Sequence, residues 1–235
     1  MKKDKRTYFL VFALFAVYVA LIITAFCNID NFAAVNLESR GTETVILDAG
    51  HGGEDGGAVA NGIVEKDINL EITKKLADVF RASGFNVIMT RDSDKTLESE
   101  GTTIREKKVS DMKNRLSLFN KDINACVISI HQNKFTQEKY NGAQVFYSAN
   151  NPESQRLAEA LRSDITTLTQ PDNTRECKGA SKDIYLLYNC KAPSVIVECG
   201  FISNYEEAQK LKDEEYQKKL AFAIFSGYLK YSNAR

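Results

Sequence analysis

The feature that most constrains the fold is an alternation, from residue 44 to the C-terminus, of short apolar runs with longer segments that carry a helical stripe. Strands that alternate with helices form a mostly parallel sheet with helices on its faces. The sequence therefore predicts a single α/β domain with a mostly parallel, twisted sheet flanked by helices. The predicted strands are 44–50, 85–90, 125–131, 143–148, 184–188 and 194–200, and the predicted helices are 66–83, 103–121, 153–168 and 214–231.

The predicted helix over 103–121 is rich in charged residues, but it contains apolar residues at helical spacing. These are Val109, Met112, Leu116 and Phe119. Residues spaced in this way lie on one face of a helix. We therefore expect this face to pack against the sheet.

The first 27 residues have a different character from the rest of the chain. A basic cluster in residues 1–6 is followed by residues 8–27, which carry no charged side chain. A helix of that length, at about 1.5 Å per residue, spans the roughly 30 Å hydrocarbon core of a bilayer. The segment is predicted to be an N-terminal transmembrane helix that anchors the protein. The basic end indicates a cytoplasmic N-terminus, with the remainder facing outward.

Two alternatives to this anchor remain open. A cleaved signal peptide usually has an apolar region of about 7–15 residues that ends in a small-x-small site, and this run is longer. A lipid-modified Cys27 is disfavoured because the bulky Phe26 precedes it. Residues 28–43 show no periodicity and are predicted to be a tether, which leaves 44–235 as one domain.

Composition excludes several classes of protein. The chain has 31 basic and 31 acidic residues, and this zero net charge argues against a nucleic-acid-binding protein, which needs an excess of clustered positive charge. Its five cysteines are an odd number and contain no CxxC pair. Neither a disulfide framework nor a cysteine-built zinc site is therefore indicated.

Four side chains that suit a metal site are expected at one edge of the sheet. His51 and His131 come at the ends of two predicted strands, and Glu198 ends a third apolar run. Glu65 precedes the predicted helix that follows the first strand. Ligands of parallel α/β sheets bind outside the carboxyl ends of the strands. We therefore expect these four residues to lie close together.

Two histidines and a glutamate are a ligand set that catalytic zinc sites use, with the fourth position left to water. We predict His51, Glu65 and His131 as ligands of Zn²⁺. Glu198 is predicted to take the proton of the zinc-activated water and deliver it to the leaving amine. Each residue alone also has a structural interpretation: a hydrogen-bonded histidine at a strand end, or a carboxylate at a helix N-terminus. The glycine-rich turn at 50–57 matches neither phosphate-binding pattern.

Seven segments of the chain resemble, in order and spacing, the zinc-dependent N-acetylmuramoyl-L-alanine amidases of the type 3 family. They are DAGHGGEDGGA (48–58), VEKDINL (64–70), MTRDSD (89–94), RLSLFN (115–120), SIHQN (129–133), GAQVFY (142–147) and VECGFISN (197–204). The resemblance implies the same zinc ligands, His51, Glu65 and His131, and the same catalytic glutamate, Glu198.

The resemblance implies a peptidoglycan hydrolase that cleaves the amide between N-acetylmuramic acid and L-alanine of the stem peptide. The simple layout of one anchor and one catalytic domain is most similar to the germination-specific branch of spore formers. That branch acts in spore cortex maturation, where a deacetylase partner completes the muramic lactam pathway. The expected location is extracytoplasmic, anchored in the membrane or secreted, in the cell wall or the forespore intermembrane space.

Other residues are less clearly assigned by the sequence. Asn133 is a candidate for hydrogen-bonding the substrate peptide, with a structural role as the alternative. Cys199 is expected to be a small buried apolar residue, and no role is assigned to Cys177 or Cys190. Arg91 and Arg115 are expected to form ion pairs or to pack. Arg175 and Lys178 lie in the polar stretch 170–183, which is expected to be a solvated loop, with a position beside the substrate groove as the alternative.

The sequence also leaves room for partners and for other functions. Because the predicted ligands come from three separated segments, a protein partner that completes the metal site is a hypothesis. One rival function is a non-catalytic, wall-tethered scaffold or binding protein of the same fold. A second rival is another zinc hydrolase of the wall, such as a deacetylase.

Overall fold

The computed structural model describes residues 43–98 and 100–234, which form one compact unit. Among these residues, none of the helices is both long and apolar enough to cross a membrane. The predicted anchor at 8–27 and all but the last residue of the predicted tether at 28–43 lie outside the described residues.

The described part of the chain contains eight strands and six helices. The strands are β1 (Thr44–Ala49), β2 (Val59–Ala60), β3 (Ile63–Val64), β4 (Asn86–Met89), β5 (Cys126–Asn133), β6 (Gln144–Tyr147), β7 (Lys178–Gly179) and β8 (Ser194–Phe201). The helices are α1 (Glu65–Ala82), α2 (Ile104–Phe119), α3 (Pro152–Leu168), α4 (Tyr185–Asn189), α5 (Tyr205–Lys212) and α6 (Glu214–Asn233).

Six strands form one sheet in the order β4-β1-β5-β8-β6-β7, and β2 pairs with β3 in a separate hairpin. Neighbouring strands from β4 to β8 run parallel, whereas β6 runs antiparallel to β8 and parallel to β7. The prediction of a single α/β domain with a mostly parallel sheet flanked by helices is confirmed. The carboxyl ends of β1, β5 and β8 consequently meet at one edge of the sheet.

The two faces of the sheet are covered unequally, because side chains alternate between them along each strand. Val45 and Leu47 of β1 face a large apolar core that helices α1, α3 and α6 complete. Ile46 faces a much smaller core made with Phe119 of α2 and with Cys190. Polar side chains are therefore accommodated on the thinly covered α2 face, close to the carboxyl edge.

The predicted strand 184–188 is wrong, because Tyr185–Asn189 forms the short helix α4. A short apolar run does not by itself distinguish a strand from a buried turn of helix. Here only Leu187 of the helix is buried, and Tyr188 is exposed. A short segment that ends at Pro193 connects this helix to β8. The two-residue strands β2, β3 and β7 and the helix α5 were not predicted.

The predicted buried face of α2 is wrong in part. Phe119 is fully buried, but Val109 is exposed and Met112 and Leu116 are only partly covered. The helix instead buries the charged residues Asp111 and Arg115. Its contact with the sheet is made by an ion-pair network, which an apolar spacing cannot reveal.

That network joins α2 to the end of β1. Arg115 donates hydrogen bonds to the fully buried carboxylate of Asp48 and to Asp111, the latter at 2.7 Å. Asp48 also accepts from Thr90, directly after β4, at 2.8 Å and from Ser129 of β5 at 2.5 Å. Burial raises the pKa of Asp48, but the Arg115 guanidinium, the hydrogen bonds from Ser129 and Thr90 and the charge of His131 together outweigh burial and hold that pKa below its usual value. Three strands and a helix are thus joined through one carboxylate.

We expect Arg115→Met to lower the free energy of unfolding by about 3–5 kcal/mol, because it leaves the buried Asp48 charge without its partner. Urea denaturation at neutral pH measures the loss. The matched control is Arg156→Met, which removes an exposed ion pair with Glu153 and should cost less than about 1 kcal/mol. Equal losses in the two variants would contradict the assigned role of the buried pair.

Candidate metal centre

The structure brings three of the sequence-predicted site residues together at the carboxyl edge of the sheet. His51 lies in the turn that follows β1, Glu65 is the first residue of α1, and His131 lies near the end of β5. One potential ligand atom from each residue lies within 4.8 Å of the others. The two histidine rings meet edge to face, with centroids 5.0 Å apart. Residues up to 80 positions apart thus face one small volume.

The carboxylate of Glu65 is the centre of this arrangement. Its Oε1 atom lies 3.2 Å from His51 Nε2 and 3.0 Å from His131 Nδ1. Backbone amides fix its orientation: Ala58 N–H donates to Oε2 at 2.8 Å and Gln132 N–H donates to Oε1 at 3.2 Å. Burial raises the pKa of Glu65, but the hydrogen bonds with the two histidines outweigh burial and lower it strongly.

The imidazole of His51 is held by Asp55, which sequence reasoning did not assign to the site. Nδ1 of His51 lies 2.8 Å from Asp55 Oδ2, so Nε2 is the ring nitrogen that faces Glu65. Asp55 is also paired with Lys108 at 3.0 Å. Burial lowers the pKa of His51, but the hydrogen bonds with Asp55 and Glu65 outweigh burial and raise it to about 9. In the sequence, the position of Asp55 four residues after His51 is the feature from which this contact could have been inferred.

Two glycines make room for the cluster. A Cβ atom at Gly50 would lie 2.2 Å from His131 Nε2, and one at Gly57 would lie 2.6 Å from Glu65 Oε2. Gly57 also has a φ of 69°, which side chains rarely adopt. The glycine-rich turn therefore lets the backbone approach the proposed ligands closely.

The turn after β1 is fixed by two buried arginines. Arg91 donates to Ala49 O at 2.9 Å and to Gly50 O at 3.1 Å. Arg115 donates to Ala49 O at 3.0 Å and to His51 O at 2.8 Å. His51 itself has a φ of 63°, an uncommon conformation for a residue other than glycine. Such a conformation persists where its surroundings determine it, and the guanidinium groups supply that constraint here.

Glu198 lies on β8, directly beside the cluster. It is the register partner of His131 across the β5–β8 pair and of Gln144 across the β6–β8 pair. Its Oε2 atom is buried and has no hydrogen-bond partner among the described residues. Burial raises the pKa of Glu198 to about 7. A buried, unpartnered carboxylate is costly, which points to a role with a bound group.

The remaining sequence candidates stand apart from the three clustered ligands. Asn133 ends β5, and its backbone carbonyl accepts from Ile202 N–H at 2.8 Å, so a substrate contact for its side chain stays a prediction. Cys177, Cys190 and Cys199 are free thiols, and burial raises the pKa of all three. Cys199 packs in the main apolar core, as expected.

The donors present fit a metal ion of the zinc type. Two imidazoles and one carboxylate form a donor set that catalytic zinc sites use, and three protein ligands leave a position for water. The Asp55 carboxylate accepts a hydrogen bond from Nδ1 of His51 and so leaves Nε2 free for a metal, as carboxylates beside metal-binding histidines do. Glu198 supplies a carboxylate beside the cluster that is available for proton transfer, because its Oε2 has no partner among the described residues.

Comparison with known proteins identifies the relatives of the chain. The family model described as N-acetylmuramoyl-L-alanine amidase matches residues 45–230. The germination-specific N-acetylmuramoyl-L-alanine amidase of Bacillus subtilis is 36% identical over 218 residues, which cover 92% of this chain and 91% of that protein.

Two solved structures share the fold. The CwlD amidase of Clostridioides difficile, in complex with the GerS lipoprotein, is 42% identical with a TM-score of 0.79. The match covers 83% of this chain and all of that chain. An N-acetylmuramoyl-L-alanine amidase of Clostridium difficile 630 is 28% identical with a TM-score of 0.72, over 83% of this chain and 99% of that one.

We expect Asp55→Asn to weaken zinc binding by about 10–100-fold, because the variant loses the carboxylate that orients His51. Competition with a chromophoric chelator measures the affinity. Glu54→Gln is the matched control, since Glu54 is exposed and pairs only at the surface, with Lys107 at 2.9 Å. Unchanged zinc affinity in Asp55→Asn, or equal weakening in both variants, would contradict this role.

Proposed function

The chain belongs to the N-acetylmuramoyl-L-alanine amidase family and is an enzyme of that activity, and we propose that it works with one zinc ion held by His51, Glu65 and His131. The observation that carries this proposal is the convergence of the three donors within 4.8 Å beside the unpartnered Glu198 carboxylate. Zinc in such a site acidifies water and polarises a carbonyl oxygen. We also propose residues 44–235 as the catalytic domain.

Glu198 is proposed to move the proton in this reaction. Its pKa of about 7 allows the carboxylate to accept a proton from the attacking water near neutral pH. The same group then donates that proton to the nitrogen of L-alanine as the carbon–nitrogen bond breaks. The products are the carboxylate of the muramoyl lactyl group and a stem peptide with a free amine. Asn133 is proposed to hydrogen-bond the substrate peptide.

The amidase family match disfavours the rival functions. A non-catalytic scaffold of the same fold would be expected to lack one of the four residues, and all four are present. A deacetylase would release acetate and leave stem peptides attached. The match over residues 45–230 is to amidases, which release the peptide.

We further propose that the enzyme acts outside the cytoplasmic membrane, on spore cortex peptidoglycan in the muramic lactam pathway. The named role of the Bacillus subtilis relative in germination supports this substrate. The uncharged residues 8–27 support a membrane anchor or a signal segment. The complex of the Clostridioides difficile relative with a lipoprotein supports an activating protein partner for this chain as well.

We expect Glu198→Gln to bind zinc with the affinity of the wild type while losing turnover by at least about 100-fold, because the amide cannot accept the proton. The assay incubates the full chain with peptidoglycan and zinc and measures new L-alanine amino termini by mass spectrometry. Acetate release without free amines would support the deacetylase alternative instead. Wild-type turnover by Glu198→Gln would exclude Glu198 as the acid/base.

We expect His51→Ala and His131→Ala each to lose zinc and activity together, since each removes one of three ligands. Metal content after dialysis and the amine-release assay are measured on the same samples. Circular dichroism shows whether the variants remain folded. A folded variant that keeps stoichiometric zinc would exclude that histidine as a ligand.

A further inference from the structure

We propose that Arg175 forms a subsite for a free carboxylate of the stem peptide, next to the proposed catalytic residue. This inference rests on the proposed function and names the part of the substrate that the site recognises. The stem peptide is an anionic peptide, so a cation that lines its path has an obvious ligand.

Arg175 is placed beside the site by β6. Gln144 is the antiparallel partner of Glu198, and directly opposed residues project their side chains from the same face of a sheet. The Nη1 atom of Arg175 lies 3.5 Å from Gln144 Oε1. Gln144 is buried and its Nε2 also donates to Glu176 O. One fixed side chain therefore separates the guanidinium from the proposed acid/base.

The guanidinium is held in a defined orientation. Its Nε donates to Asn141 O at 2.8 Å. Its Cζ lies 4.6 Å from the ring centroid of the buried Phe201 and 5.8 Å from that of Tyr140. Stacking on aromatic faces stabilises a guanidinium while leaving its edge free for planar ligands.

The loop that carries Arg175 is also fixed. The backbone N–H of Arg175 donates to Asn173 Oδ1 at 3.0 Å, and its carbonyl accepts from Arg162 at 2.5 Å. Asn173 in turn donates to Ala143 O at 3.0 Å, just before β6. The segment is attached to the sheet edge rather than extended into solvent. A subsite on it would be largely preformed.

Charge distinguishes this arginine from the structural ones. Arg115 is neutralised by Asp48 and Asp111, and Arg91 is surrounded by four backbone carbonyls. Arg175 forms no ion pair within 4.0 Å with any described residue, and its Nη2 has no hydrogen-bond partner among them. Glu207, an acidic residue of the neighbouring α5, is engaged by the amides of Gly142 and Phe201, and the charge of Arg175 acts on it without forming an ion pair. A planar cation with an open edge matches a carboxylate.

The position of the guanidinium favours a carboxylate close to the cleaved bond. Opposed strand residues have Cβ atoms about 5 Å apart, and the guanidinium lies one side chain beyond Gln144. The free carboxylate of the stem nearest to that bond is the α-carboxylate of the second residue, about two extended residues along the peptide. This group is therefore the ligand that the test examines.

The test compares two peptidoglycan substrates that differ only in that group. Solubilised glycan chains whose second stem residue carries an α-carboxylate are compared with chains that carry the α-carboxamide. The initial rate of L-alanine amine release at subsaturating substrate measures kcat/KM for the full chain with zinc. We expect the wild type to prefer the carboxylate by about tenfold or more, and Arg175→Gln to abolish this preference. Arg175→Gln should therefore lose more rate on the carboxylate chains than on the carboxamide chains.

Two further variants separate binding from structure. Arg175→Lys keeps the positive charge but lacks the planar guanidinium that pairs with a carboxylate through two hydrogen bonds. It should retain part of the preference for the carboxylate substrate. Arg81→Gln removes an exposed arginine at the far end of α1 and should keep all of it. A wild type without preference, or an Arg175→Gln protein equally impaired on both substrates, would overturn the subsite while leaving the amidase function intact. No amine release by the wild type from either substrate would overturn the proposed function, and the subsite with it.

Discussion

The architecture of the site depends on the buried ion pair between Asp48 and Arg115. Asp48 is inaccessible to solvent, so its charge is tolerated only because a guanidinium and two hydroxyl groups surround it. The same guanidinium also donates to the carbonyls of Ala49 and His51. One guanidinium therefore both neutralises the buried charge of Asp48 and fixes the turn that carries His51. This explains why α2 packs through charged rather than apolar residues.

The second organising group is the Glu65 carboxylate, at the start of α1. It accepts from the amides of Ala58 and Gln132 while facing both histidines, so it joins the glycine-rich turn, the helix and β5. The orientation of this ligand is therefore set by backbone groups. Preorganised ligands of this kind reduce the conformational rearrangement that metal binding requires.

Most of the site residues could be predicted from the sequence because they lie at the ends of predicted strands. The carboxyl ends of parallel strands meet at one edge, so residues that follow apolar runs are brought together once the strands are parallel. This reasoning selected His51 and His131, and the structure places them with ring centroids 5.0 Å apart. Asp55 and Arg175 were not selected, because their roles depend on contacts with side chains and carbonyls that become neighbours only after folding. The helix at 185–189 was mistaken for a strand because five residues contain too little periodicity to decide between the two.

The sequence by itself determined the α/β class, the positions of the main sheet strands along the chain apart from the error at 184–188, and the chemistry available at the carboxyl edge. Local patterns suffice for these properties, because apolar periodicity and strand-end position are written into consecutive residues. Tertiary structure alone decided the packing of α2 through Arg115, the orientation of His51 by Asp55, and the burial of Glu198 beside His131. Each of these depends on distances between segments far apart in the chain, and burial and pairing are what set the charge states of such groups.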